Sequence, residues 1–142
     1  MNKIHLCIFL FALVLCAASC GVIDDLEARF FDRVVVSGVD LSAWDILTGP
    51  DLRLSYGINK LDFETEILTD VGNNASPVEW IFPANLEITN DNWLFEVVDV
   101  DNLTADDVLI NTQFFGRDKT DEGNPFVLSN ANITLQVYWK TR

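Results

Sequence analysis

Past residue 20 the sequence contains no histidine and no cysteine. The only histidine is His5, and the three cysteines are Cys7, Cys16 and Cys20. Without histidine, Ser-His and Cys-His nucleophile arrangements and imidazole acid–base catalysis are excluded from the remainder of the chain. A zinc site built on His or Cys is excluded too, and no disulfide can close among the residues that follow Cys20. Basic residues are also scarce, with 9 Lys and Arg against 22 Asp and Glu and a formal net charge of −13. That balance leaves no basic stripe for a phosphate backbone, so no nucleic-acid partner is expected. There is no glycine-rich phosphate loop. No apolar run beyond the N-terminus is long enough to cross a bilayer. Paired carboxylates of the glycosidase kind remain formally open, but clustered acids on open loops suit a metal better. A binding protein is expected, not an enzyme.

What is there begins with an export pattern. Lys3 precedes an apolar run over 6–18, and Ala17, Ala18 and Ser19 lead into Cys20. This predicts a signal peptide over 1–19. Ala17-Ala18-Ser19-Cys20 resembles a bacterial lipobox, with alanine where leucine is usual three positions before the cysteine. The resemblance implies acylation of Cys20 (palmitate among the chains), export, and attachment to a membrane of the bacterial envelope, at the outer membrane or a periplasmic face. Two or more acyl chains anchor stably. An ordinary secretion signal with an incidental cysteine is the alternative. Cleavage would leave eight basic and 22 acidic residues, a net charge of −14. Residues 20–33 then read as a lipidated, acidic tether, and 34–142 as one domain.

Within that domain, short apolar runs alternate with Asn, Asp, Gly and Pro. Strands are predicted over 34–38, 52–58, 64–69, 78–82, 93–98, 108–115 and 133–139, with a further one in 85–89 or 126–128. Ile133, Leu135, Val137 and Trp139 alternate with Thr134, Gln136 and Tyr138, the period of a half-buried strand. Residues 116–124 are polar and read as a loop. Seven to eight strands with no long amphipathic helix predict an all-β, antiparallel β-sandwich. Trp44, Trp80, Trp93 and Trp139 read as core or strand-end packing ahead of a sugar-stacking platform.

Two loops concentrate acid. One runs Asp45-Ile46-Leu47-Thr48-Gly49-Pro50-Asp51, the other Asp99-Val100-Asp101-Asn102-Leu103-Thr104-Ala105-Asp106-Asp107. Like charges a few ångströms apart repel by about 1 kcal/mol per pair even in bulk water. A hard divalent cation relieves that repulsion. Calcium accepts six to eight oxygens in irregular geometry, whereas magnesium demands a strict octahedron. The competing explanation is that Asp is common in turns.

These loops and their flanking strands resemble a C2 domain. Val36-Ser37-Gly38-Val39-Asp40-Leu41-Ser42-Ala43-Trp44-Asp45 is similar to that family's first strand and loop. Gly49-Pro50-Asp51-Leu52-Arg53-Leu54 resembles its "Ser-Asp-Pro-Tyr-Val-x-Val" segment, with the Pro before the Asp. Pro77-Val78-Glu79-Trp80-Ile81-Phe82 resembles "Asn-Pro-Val-Trp-Asn-Glu-x-Phe", with one residue inserted. Trp93-Leu94-Phe95-Glu96-Val97-Val98-Asp99-Val100-Asp101 resembles "Leu-x-x-x-Val-x-Asp-x-Asp", and Asp107-Val108-Leu109-Ile110 stands where the family has "Asp-x-Ile-Gly". The resemblance implies a C2-like sandwich with Ca2+ held by Asp45, Asp51, Asp99, Asp101 and Asp107. It implies Ile46, Leu47 and Leu103 at membrane- or partner-facing loop tips, and phospholipid headgroups or a protein as partner. A metal-independent structural or adhesive sandwich is the alternative.

Overall fold

The computed structural model describes residues 27–39, 49–69, 71, 78–100 and 106–142. Among the described residues eight strands form two four-stranded antiparallel sheets. In chain order they are β1 (Arg29–Val39), β2 (Leu52–Ile58), β3 (Phe63–Glu64), β4 (Val78–Ile81), β5 (Asn92–Asp99), β6 (Asp107–Phe115), β7 (Phe126–Ser129) and β8 (Ile133–Thr141). A single turn-rich helix among the described residues, α1 (Gly116–Glu122), joins β6 to β7. One sheet runs β4-β1-β8-β7 and the other β3-β2-β5-β6, the two-layer all-β sandwich expected from the strand pattern.

Period-two alternation puts one face of each strand into the space between the sheets. On β8, Ile133, Leu135 and Val137 are buried while Thr134, Gln136 and Tyr138 are half-buried. On β5, Trp93, Phe95 and Val97 turn inward. Aromatic rings fill the middle. Phe31 meets Trp93 edge-on at 4.9 Å, and Phe95 meets Phe114 at 5.1 Å. Such contacts add about 0.5–1.5 kcal/mol per pair to the burial itself. Trp80 is fully buried and its indole N–H donates to the Glu66 carbonyl at 3.1 Å.

Three elements differ from the sequence reading. The first strand starts at Arg29, inside the segment read as tether. A register shift between Phe31 and Arg33 keeps Phe31 in the core and Arg33 outside, so charged residues enter the strand without being buried. The run 64–69 is strand only at its first residue, where Phe63–Glu64 pairs with β2. Beyond it the Thr65 hydroxyl, not a backbone carbonyl, accepts the Leu54 N–H at 3.1 Å. The ladder resumes only as an isolated bridge between Leu68 and Leu52. Finally, 116–122 is helical rather than loop. Its buried side consists of Gly116 and Thr120, too small to give an apolar periodicity.

The two ends of the sandwich are distinct. Leu52, Asp99 and Asp107 lie side by side at one end of β2, β5 and β6. The β7–β8 turn closes on the same end, where the Asn130 side-chain amide donates to the Leu109 carbonyl at 2.6 Å. Arg29 lies at the other end, bonded to Thr120 of α1. The chain therefore joins the sandwich at the end opposite Asp51, Asp99 and Asp107.

Candidate functional site

Sheet register gathers part of the predicted acid set. Asp51 immediately precedes β2, Asp99 closes β5 and Asp107 opens β6. Antiparallel pairing sets Leu52 opposite Asp99, and Asp99 opposite Asp107. Three carboxylates from separate segments thus share one sheet end. Asp99 is 6% exposed, and its Oδ1 accepts the Asp51 backbone N–H at 2.7 Å. The Val100 N–H returns to the Asp51 carbonyl at 2.7 Å. These two bonds splice the segment before β2 onto the end of β5. A buried carboxylate is tolerated when amides donate to it.

Asp106, outside the five-aspartate set that the resemblance implies, pairs with the Arg53 guanidinium at 3.3 Å. Arg53 also reaches Glu64 at 3.7 Å, so it draws Asp106 toward β2 while Asp107 remains exposed. Among the described residues, no group of three His, Cys, Asp or Glu side chains is arranged to hold a metal ion. Asp45 and Asp101, along with Ile46, Leu47, Leu103 and Cys20, lie outside the described residues. Of the five predicted ligands, the described part of the molecule therefore contains Asp51, Asp99 and Asp107. The donors are all oxygen, which suits a hard cation and not zinc. Among the described residues no helix is long and apolar enough to cross a membrane.

The opposite end carries chemistry that the sequence reading passed over. Arg29, Glu87, Asn90, Arg117, Asp118 and Asp121 surround a cavity of about 410 Å³. The Arg29 guanidinium bonds to Thr120 and Asp121 and lies 4.9 Å from the Trp139 ring centroid. The signal for this site was faint: polar residues spread over 87–90 and 117–121 converge only because α1 folds back beside the start of β1.

No protein-family profile and no curated protein matches this chain. Among solved structures it is similar to human GIVD cytosolic phospholipase A2, at 14% identity and a TM-score of 0.46 over 82% of this chain. A structure of that protein with methyl gamma-linolenyl fluorophosphonate gives 15% and 0.44, and one with the same inhibitor and terbium chloride gives 15% and 0.42. This chain spans only 17–18% of those chains' length. A likeness this loose carries no argument about family or activity.

Proposed function

We propose that this chain is an exported β-sandwich of C2 type, lipid-anchored through Cys20, that binds calcium through Asp45, Asp51, Asp99, Asp101 and Asp107. The observation that carries the reading is the register that aligns the Asp51, Asp99 and Asp107 segments at one sheet end. Bound calcium would supply positive charge to which a partner's phosphate or carboxylate oxygens attach. The partner is accordingly a phospholipid headgroup or an acidic protein surface, with Ile46, Leu47 and Leu103 as apolar tips beside it. Binding rather than catalysis is the reading supported by the lack of histidine beyond His5 and by acids clustered on open loops.

A cation that binds only the folded state stabilises it by mass action, about 2.7 kcal/mol at a concentration one hundred times Kd. Thermal melts of the full chain in millimolar calcium should therefore lie several degrees above those in chelator. Asp99→Asn with Asp101→Asn should abolish the difference. Identical melts in calcium and chelator would leave the metal-independent adhesive sandwich as the better reading.

A further inference from the structure

The cavity between α1 and the start of β1 is lined by charge of both signs that is not mutually neutralised. Six of the eight described basic residues are held in ion pairs. Arg117 is not among them, in a chain with 22 acidic residues. Its Nη1 donates to the Glu27 backbone carbonyl at 3.1 Å, which orients the guanidinium without neutralising it. Glu87 and Asp118 line the same cavity and form no ion pair among the described residues. Arg29 is already occupied by Thr120 and Asp121. So Arg117 is left as the cationic recognition group, and Glu87 and Asp118 as the anionic ones.

A plain anion would meet two carboxylates here, and a plain cation would meet a guanidinium. A molecule bearing both signs satisfies each wall. Guanidinium matches phosphate or carboxylate oxygens through parallel N–H donors, while a primary ammonium offers three donors to carboxylates. The volume lies within the usual range for small-ligand sites, about 300–1,000 Å³. We propose that this cavity binds a small zwitterion, its oxyanion on Arg117 and its primary ammonium on Glu87 and Asp118. The site lies at the opposite end of the sandwich from Asp99 and does not depend on calcium.

The test is a titration of the full chain, in chelator throughout, followed by amide NMR shifts. The probes are O-phosphoethanolamine and β-alanine, with inorganic phosphate and ethanolamine as one-sign controls. Saturable shifts confined to residues 87–90 and 117–121 are expected, with each one-sign control at least about tenfold weaker. One lost charge-assisted hydrogen bond corresponds to about that factor. Arg117→Met and, separately, the exposed Asp118→Asn should each weaken the tighter zwitterion about tenfold while circular dichroism melts stay unchanged. Vesicles of phosphatidylethanolamine that compete, where phosphatidylcholine vesicles do not, would assign the zwitterion to a lipid headgroup. Absence of such competition would assign it to a free solute. No saturable shift with either zwitterion, or phosphate alone binding as tightly, would overturn the proposal, as would affinity unchanged in both variants.

Discussion

The two ends of this sandwich are closed by different means. At the end holding Asp51, Asp99 and Asp107, the segments are joined by backbone amides and a buried carboxylate. At the end holding Arg29 and α1, backbone bonds such as Ile88 N–H to the Arg29 carbonyl at 2.7 Å are supplemented by close steric contact at two glycines. A Cβ on Gly116 would stand 2.5 Å from the Thr89 carbonyl and 2.6 Å from Ile88 Cγ2. A Cβ on Gly57, in the last part of β2, would stand 2.1 Å from the Lys60 carbonyl. The first end concentrates charge of one sign and is open to ionic control. The second mixes charges around its cavity and packs closely at Gly57 and Gly116, so at those two positions it should respond to added volume.

The sharpest way to break this comparison is to add a methyl group. Gly57→Ala should lower stability by about 3 kcal/mol, and Gly116→Ala by about 2–3 kcal/mol, because neither neighbouring backbone can retreat cheaply. Urea melts with unchanged m-values would measure both. Losses under 0.5 kcal/mol would show that the second end is not sterically closed. At the first end, Asp99→Ala in chelator should cost about 1–2 kcal/mol, since the Asp51 amide loses its acceptor. Asp99→Asn keeps an acceptor oxygen and should lose less. Equal losses in the two variants would mean that charge, not the hydrogen bond, holds this end together.

Arg29→Ala should cost about 1 kcal/mol through its ring contact and its pair with the exposed Asp121. Added salt should erase only part of that difference, because the ring contact lies against a half-buried Trp139. The smallest effect concerns Tyr56, midway between the ends. Burial raises its pKa above the ordinary 10.0. A phenol whose folded pKa is raised binds its proton more tightly when folded, so this contribution is intact below pH 10. It is lost as pH climbs toward the folded pKa. Tyr56→Phe should flatten the alkaline fall in stability seen in pH-dependent melts, with no change near neutrality.

Legibility in the sequence depended on how local the cause of each feature was. Strands with strict alternation, such as β5 and β8, could be read because one face must be apolar. The bounds of β2 coincide with the strand predicted over 52–58, where Leu52, Leu54, Tyr56 and Ile58 alternate with other residues. The start of β1 could not be read, because Arg29, Asp32 and Arg33 interrupt the pattern and only a shift in register reconciles them with burial. The stretch after Glu64 misled for a different reason: a threonine hydroxyl replaces a ladder bond there, and composition does not reveal that. The shared position of Asp99 and Asp107 follows from a hairpin and was within reach of spacing arguments. The pairing of Asp106 with Arg53 depends on tertiary register and was not.

The placement of β1 has a mechanical consequence. It lies in the interior of its sheet, flanked by β4 and β8, and Arg29 at its beginning is where residues 1–28 attach. Tension drawn through those residues along the strand loads both flanking ladders in parallel, so the hydrogen bonds yield together rather than one at a time. A pull on Arg29 opposed at the Asp99 end therefore loads β1 in shear, whereas a pull between Arg29 and Thr141, paired at the same sheet end, peels β1 from β8.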